Sequence, residues 1–327
     1  MLIEVEMTLE NKSVLVTGGA GFIGSHLVDK LIPEKPSNLV VVDNFFLGKE
    51  SNLKEAKKNY PQLRIYHQDA SDYEAMKKIV RSEGTEVIFN LAIIPLPASL
   101  DKPKWSYEHN VNITMCLCEL ARERAFDTLI HFSSSEAYGN CQYAPMDEYH
   151  PLNPTTPYGA SKAATDLLVL SYVHTFNITA SIIRPFNNYG PRQNEGSYAG
   201  VIPLTIKRIQ SGEAPVIYGD GEQSRDYIYV SETVDATIDL YNCPESRGKV
   251  LNIGSGKETA IITLVKLIAR YLNCDKPIVY QETRPGDVRR FIADINRARD
   301  LINFKPGIGL EEGLKLTTEW YRRGEKS

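Results

Sequence analysis

The sequence of 327 residues is 42% apolar, enough for a sizeable core and at a length where one core begins to divide into a large domain and a smaller lobe. A net charge of −4, a pI near 5.9 and the lack of any Lys/Arg block exclude an extended nucleic-acid surface, although two or three local arginines suffice for a small anion. No run reaches the roughly 18 apolar residues of a membrane span and Met1 to Glu10 lacks a basic start, so a soluble cytoplasmic protein is expected; Cys116, Cys118, Cys141, Cys243 and Cys274, scattered without C-x-x-C spacing, signal neither disulfides nor a metal.

Short β-branched runs alternate with helix-length apolar patterns through the first half, the rhythm of an α/β, doubly wound parallel sheet. The first predicted strand, Ser13–Thr17, runs into Thr17-Gly-Gly-Ala-Gly-Phe-Ile-Gly24 and a helix over Phe22–Ile32. Gly18, Gly21 and Gly24 therefore sit where a glycine turn lets backbone N–H groups approach a pyrophosphate, the Rossmann arrangement. The second strand, Leu39–Asp43, ends nineteen positions after Gly24 on a carboxylate able to accept hydrogen bonds from ribose hydroxyls. Asp43 repels a 2′-phosphate, and Asn44, Phe45 and Phe46 supply no arginine to receive one, so the expected cofactor is NAD rather than NADP.

Strands follow at Leu63–Gln68, Val87–Leu91, Thr128–Phe132 and Thr179–Arg184, with helices at Tyr73–Arg81, Trp105–Arg124 and Tyr158–Phe176. The last two helices are long enough to pack across a partner subunit, which carries an expectation of a homodimer, although one domain's core accounts for them equally well. The fifth strand closes on Ser133, Ser134 and Ser135, and strand ends in such sheets open onto the ligand crevice, where one of these hydroxyls can bond a reacting oxygen. Tyr158 and Lys162, four residues apart, share a helix face. A phenol ionises near pH 10, too high for a base at neutral pH, but a neighbouring ammonium and a positive nicotinamide favour the phenolate that takes a hydroxyl proton.

After Pro185 the rhythm loosens into Asn-, Gly- and Pro-rich punctuation at 187–191, 194–200 and 219–221. The expected division is an NAD-binding domain over 8–185, to which later segments can return, and a smaller C-terminal substrate-binding lobe over 186–327. Trp320 to Ser327 reads as a frayed helix end.

With the glycine loop, strand-end serines and Tyr/Lys helix in that order, the chain resembles the extended short-chain dehydrogenase/reductase family, the nucleotide-sugar epimerases and dehydratases, from Val14 to about Arg322. Further matches are Asp69-Ala70, Leu91-Ala92, Asn110, Arg184-Pro-Phe-Asn187-Asn-Tyr-Gly-Pro191, Tyr218-Gly-Asp-Gly-Glu-Gln-Ser-Arg225 and Arg284-Pro-Gly-Asp. The resemblance implies cofactor contacts at Gly18, Gly21, Phe22, Ile23, Gly24, Asp43, Asn44, Asp69, Ala70, Leu91, Ala92, Asn110, Tyr158 and Lys162. It implies a catalytic hydroxyl at Ser134. Contacts to a nucleotide-diphosphate sugar are implied at Asn187, Arg192, Val201 and Tyr218, with Arg225 and Arg284 on the diphosphate, whose oxygens a guanidinium fork matches. No metal is expected.

Oxidation at C4 gives a 4-keto sugar, and the neighbouring residues decide its fate. Simple 4-epimerases of the family carry a small or apolar residue where this chain has Glu136, whereas a carboxylate resembles the 4,6-dehydratases, in which it removes the C5 proton. The reading leans to a 4,6-dehydratase. Ser135 departs from the deoxythymidine-type dehydratases, which place Asp there as general acid; the Ser-Glu pair is similar to guanosine-diphosphate sugar dehydratases and to glucuronate decarboxylases. A 4-epimerase is the first alternative, and a decarboxylase, with Arg289 or Arg290 receiving the C6 carboxylate, the second. The apolar stretch Asn90-Leu-Ala-Ile-Ile-Pro-Leu-Pro-Ala-Ser99 stands where dehydratases have a more polar one and shapes sugar specificity. An inactive NAD-binding protein is disfavoured by the presence of Ser134, Tyr158 and Lys162, and a reductase of non-nucleotide substrates by Arg225 and Arg284, which would lack an anion.

Overall fold

The structure, a computed structural model, describes residues 7–196, 198–283 and 288–324. In chain order the first half forms β1 (Ser13–Thr17), α1 (Phe22–Leu31), β2 (Asn38–Asp43), α2 (Lys54–Asn59), β3 (Arg64–His67), α3 (Tyr73–Ser82), β4 (Val87–Asn90), α4 (Leu96–Asp101), α5 (Pro103–Arg122), β5 (Thr128–Phe132), α6 (Pro157–Phe176) and β6 (Thr179–Pro185). The predicted strands and long helices all form, within two residues of their expected ends. Local chemistry places these boundaries. Asp72 caps α3 by accepting from Ala75 N at 3.1 Å. Thr156 caps α6 by accepting from Gly159 N at 3.0 Å, Pro157 fills its first turn, and Asn177 ends it in the left-handed region at φ 52°.

The second half forms β7 (Asn187–Tyr189), α7 (Val201–Gln210), β8 (Val216–Tyr218), β9 (Ser224–Tyr229), α8 (Val230–Asn242), β10 (Val250–Ile253), β11 (Glu258–Ala260), α9 (Ile261–Tyr271), β12 (Val279–Gln281), α10 (Asn296–Ile302) and α11 (Leu310–Gly324). Among the described residues the main sheet has seven strands in the order β10-β6-β5-β4-β1-β2-β3, every pair parallel. β10 thus returns from the second half to pair with β6, and α8 packs against α1. Trp320 to Gly324 is not a frayed end: it completes α11, where Tyr321 is buried and donates to Gln193 O at 3.0 Å.

Alternate residues of each strand enter opposite layers, because successive Cβ atoms point to opposite faces. Val14 and Val16 join one core cluster and Leu15 the other. A third cluster, built from Tyr189, Ile202, Ile217, Leu264 and Leu314, supports the lobe carrying β7, β8 and β9. The five cysteines are free, with Cys116 and Cys118 buried. Among the described residues no helix is long and apolar enough to cross a membrane, and no cluster of side chains has metal-ligand geometry.

Candidate active site

The carboxyl ends of β1, β2, β4, β5 and β6 open into one cavity of about 930 Å³ that continues to β8 and β9 in the lobe. That volume lies at the upper end for ligand sites, roughly 300–1,000 Å³. At its floor the chain leaves β1 with Gly18 at φ +67°, and a Cβ there would lie 2.7 Å from Ala92 N. A Cβ on Gly24 would stand 2.1 Å from Gly18 O. Both positions therefore require glycine, which lets α1 start against the turn with Gly21 as an N-cap lacking any side-chain bond. The first N–H groups of α1 are left facing the cavity, the arrangement that accepts phosphate oxygens.

Asp43 lies beside this turn, its Oδ2 accepting from Ala20 N at 2.9 Å and its Oδ1 from Phe45 N at 2.8 Å, with burial pushing its carboxyl above the ordinary value. The residue is thus both a turn former and a cavity-lining acid. Asp69, also in the lining, accepts from Ser71 N and Oγ and from Asn44 Nδ2, and lies 3.2 Å from His109 Nε2. Burial opposes its ionisation, but the His109, Ser71 and Asn44 contacts outweigh it and hold the carboxyl well below the usual range. Phe22, Ile23, Ala70, Leu91 and Ala92 complete this end. The floor fits a dinucleotide, with phosphate-accepting N–H groups and two carboxylates placed for ribose and base; Lys49 also lines the cavity, and His67 acts on the Asp43 carboxyl.

The reactive end is built by β5 and α6. The serine triplet turns into a short 3-10 segment, Ser135–Ala137, capped by Ser134, whose Oγ accepts from Glu136 N at 3.2 Å. Ser134, Glu136, Tyr158 and Lys162 all line the cavity. Burial keeps the Tyr158 phenol above the ordinary value, opposed by the Ser134 hydroxyl and reinforced by the Glu136 and Asp166 carboxylates. Lys162 Nζ donates to Phe132 O at 2.6 Å, and burial pushes its ammonium down to about 8.

Two expected site residues turn away from the cavity. Ser135 is buried, starts the 3-10 turn and is absent from the lining. Asn110 is also absent from the lining: its Oδ1 accepts from Ile94 N at 2.7 Å, while its Nδ2 contacts Ile94 O at 3.1 Å and Ser161 Oγ at 3.0 Å. These bonds tie Asn110 to the apolar 93–97 wall and to α6.

On the lobe side Asn187, Arg192, Val201, Tyr218 and Arg225 line the same cavity. Arg225 donates to Ser224 O at 2.9 Å with its guanidinium 5.3 Å from the Phe291 ring centre. Arg192 is engaged by Asp29 of α1 at 2.6 Å. Arg284 lies outside the described residues. Arg289 and Arg290 pair with Asp220 and Glu258 at 2.9 and 2.7 Å and do not line the cavity, so neither stands ready for a sugar carboxylate. Asn187 Nδ2, Asn188 Oδ1, Gln193 Oε1 and Asn194 Nδ2 are buried polar atoms without a hydrogen-bond partner, all on lining residues. Each such atom costs about 1–3 kcal/mol unless a ligand satisfies it, and this mixture of donors and acceptors suits a polyhydroxylated ligand. Asn188, within the Arg184–Pro191 match, lines the site as well; Tyr198, Arg208 and Thr156 also line it and went unrecognised in the sequence, where only Thr156 carried a signal, as the cap before Pro157.

The chain matches a family model described as GDP-mannose 4,6 dehydratase over residues 15–317. It is 35% identical over 315 residues to a putative UDP-glucose 4-epimerase of Methanocaldococcus jannaschii, covering 96% of this chain and 100% of that one. Its fold superposes on the UDP-glucose 4-epimerase of Thermotoga maritima with UDP-glucose at a TM-score of 0.89 and 35% identity, covering 96% and 99% of the two chains. For the dTDP-glucose 4,6-dehydratase DesIV of Streptomyces venezuelae, with NAD and TYD bound, the TM-score is 0.90 at 29% identity, over 96% and 98%. The chain therefore belongs to the GDP-mannose 4,6-dehydratase-type family of extended short-chain dehydrogenases/reductases, the NAD-dependent enzymes that epimerise, dehydrate or decarboxylate nucleotide sugars.

Proposed function

We propose that this enzyme holds NAD on the glycine turn and a nucleoside-diphosphate sugar across to β8 and β9, and acts as an NDP-sugar 4,6-dehydratase. When bound, NAD supplies a hydride acceptor for C4 of the sugar. Tyr158 takes the C4 hydroxyl proton, Ser134 orients that oxygen, and Lys162 supplies the positive charge that favours the phenolate. Glu136 then removes the C5 proton, acidified by the new C4 ketone, and passes a proton to the C6 hydroxyl, which leaves as water; the hydride taken from C4 is returned at C6 and a solvent-exchanged proton at C5, so the cofactor ends the cycle as NAD. Asp43 binds the adenosine ribose hydroxyls and Asp69 faces the base; Tyr218 lies against the substrate's base and Arg225 on its diphosphate, with Asn187 and its unsatisfied neighbours on the sugar and phosphates. The division of labour follows the lobes, with 8–185 and the returning β10 holding the cofactor and the lobe around β7, β8 and β9 the substrate. The observation that carries the dehydratase reading is Glu136: a carboxylate lines the cavity beside the Tyr158–Ser134 pair.

A 4-epimerase is the second reading, favoured by the 35% identity to two proteins named as UDP-glucose 4-epimerases. A panel of nucleotide sugars incubated in deuterium oxide separates the two. The expected outcome is a 4-keto-6-deoxy product carrying deuterium at C5. Inversion at C4 with protium retained at C5 replaces the dehydratase with the epimerase, and no reaction with any nucleotide sugar overturns both. We also propose a cytoplasmic homodimer joined through α5 and α6, where Met115, Leu167 and Phe176 are exposed; a monomer in sedimentation velocity overturns that assembly.

A further inference from the structure

Behind the Tyr158–Lys162 face of α6 lies a buried charge cluster that neither the motif nor the proposed reaction uses. Asp166, four residues beyond Lys162 and wholly buried, is on the same helix face. Its Oδ2 accepts from Ser133 Oγ at 2.7 Å and from Arg184 Nε at 2.7 Å, while its Oδ1 has no hydrogen bond and lies 3.9 Å from His131 Nε2. Arg184, on β6, is 3% exposed and is fixed from its other side by the Tyr138 hydroxyl at 2.9 Å, which in turn donates to Asn252 Oδ1 on β10 at 2.7 Å. An unpaired carboxylate this deep would cost several kcal/mol, so the ion pair with Arg184 is what allows Asp166 to carry charge there.

The other groups around Lys162 add no second anion of equal standing. His131, on β5, faces it as a neutral ring: Asn90 Nδ2 is 3.0 Å from its Nδ1, Thr165 Oγ1 is 3.3 Å from its Nε2, and burial followed by the Lys162 charge holds its ionisation well below the ordinary value. Glu136, on the 3-10 turn, faces Tyr158 and raises its phenol. Arg184, the remaining cation, is spent on Asp166 and Tyr138. Lys162 itself donates only to a neutral carbonyl, Phe132 O. Burial lowers its ammonium, and the charge of Asp166 opposes that fall.

We propose that Asp166, clamped by Arg184 and Ser133, is a positioning residue whose carboxylate is the counter-charge that keeps Lys162 an ammonium beside Tyr158. The charges then alternate through the protein from Arg184 to Asp166 to Lys162 to the developing phenolate of Tyr158. This rests on the reading of Tyr158 as the proton acceptor, but its physical core, the control of Lys162 by Asp166, can be measured without turnover.

The test tracks the titration of the Lys162 ammonium by 15N NMR in lysine-labelled protein without nucleotide sugar, assigned through the signal lost in Lys162→Arg. Wild-type Lys162 is expected to titrate near 8. In Asp166→Asn the midpoint should fall by roughly one pH unit, and in Asp166→Glu, which keeps the charge, it should return toward wild type. The pair Asp166→Asn with Arg184→Gln removes both buried charges, so it leaves no unpaired ion if the single variant fails to fold; its midpoint should also fall, because Asp166 is the charged neighbour that acts on Lys162. A folded variant without the carboxylate in which Lys162 titrates with wild type overturns the proposal. In turnover, the alkaline limb of bound NADH formation should move down with the same midpoint, about tenfold less activity above it per unit, whereas a role in packing alone lowers the plateau and leaves the limb in place. If wild type forms no NADH with any nucleotide sugar, the functional reading fails while the Lys162 titration still decides the role of Asp166.

Discussion

Tyr158 and Glu136 line the same cavity but act on different atoms in the proposed sequence, so their substitution should divide the reaction in two. Tyr158→Phe keeps the ring and removes the hydroxyl on which Ser134 acts. It should lower turnover by roughly 10²–10⁴-fold with NAD still bound, since general base catalysis is worth about that much. Glu136→Gln keeps the side chain's shape but cannot accept a proton. Hydride leaves C4 before any proton leaves C5, so this variant should form bound NADH on mixing with substrate and release no product. Absorbance of bound NADH with product analysis checks both. A Glu136→Gln enzyme that releases product at the wild-type rate removes the carboxylate from the reaction, and NADH formation at the wild-type rate in Tyr158→Phe shows that the base has been misassigned. The sequence suggests that the neighbouring ammonium lowers the phenol. In the structure burial raises the phenol, and Lys162 Nζ donates to Phe132 O, a contact no spacing rule reveals.

At the level of elements, the glycine turn is the part of the site most directly dictated by sterics. Gly24→Ala places a methyl 2.1 Å from Gly18 O and 2.9 Å from Gly18 C, backbone atoms that cannot step aside. The variant should lose bound NAD and about 1–3 kcal/mol of stability, the usual range for forced overpacking. Gly84→Ala is the control: its φ is +56° but nothing lies within 4 Å of the new methyl, so it should strain the backbone slightly and retain NAD. The ratio of NAD to protein and the melting temperature of each variant test the pair; full NAD occupancy in Gly24→Ala contradicts the packing argument. This turn was legible in the sequence because steric demands act over a few residues, as was the carboxylate closing β2. The partners of a strand end were not legible. Thr17, Asn90 and His131 sit opposite one another across β1, β4 and β5, with Thr17 Oγ1 donating to Asn90 Oδ1 at 2.7 Å, but that row exists only once the parallel register is formed. The same long-range pairing brings β10 beside β6.

For the whole molecule, the joint between the sheet and the lobe carries an acid-sensitive contact. His26 on α1 makes a 2.9 Å hydrogen bond to Pro191 O, two positions after β7, and Arg192 beside it pairs with Asp29. Burial, opposed by the Pro191 bond and aided by the Arg192 charge, pushes the His26 imidazole down to about 4. An unfolded chain takes up this proton near pH 6.5, whereas the folded one resists until about 4. Between those values the unfolded state binds more protons, so stability falls as pH falls, by up to about 1.4 kcal/mol per unit. The loss should begin below pH 6.5 and be complete near pH 4. Asp29 acts in the opposite sense, because burial raises its carboxyl, but it is present in wild type and variant alike. His26→Gln retains a side-chain donor for Pro191 O without a titrating ring and should flatten the pH dependence across that window. Denaturant midpoints measured from pH 7 down to pH 4 for both proteins provide the comparison. Parallel curves would show that the joint does not hold a neutral His26. A flattened curve would mean that the neutral His26 held between α1 and Pro191 O is a source of the fold's acid sensitivity.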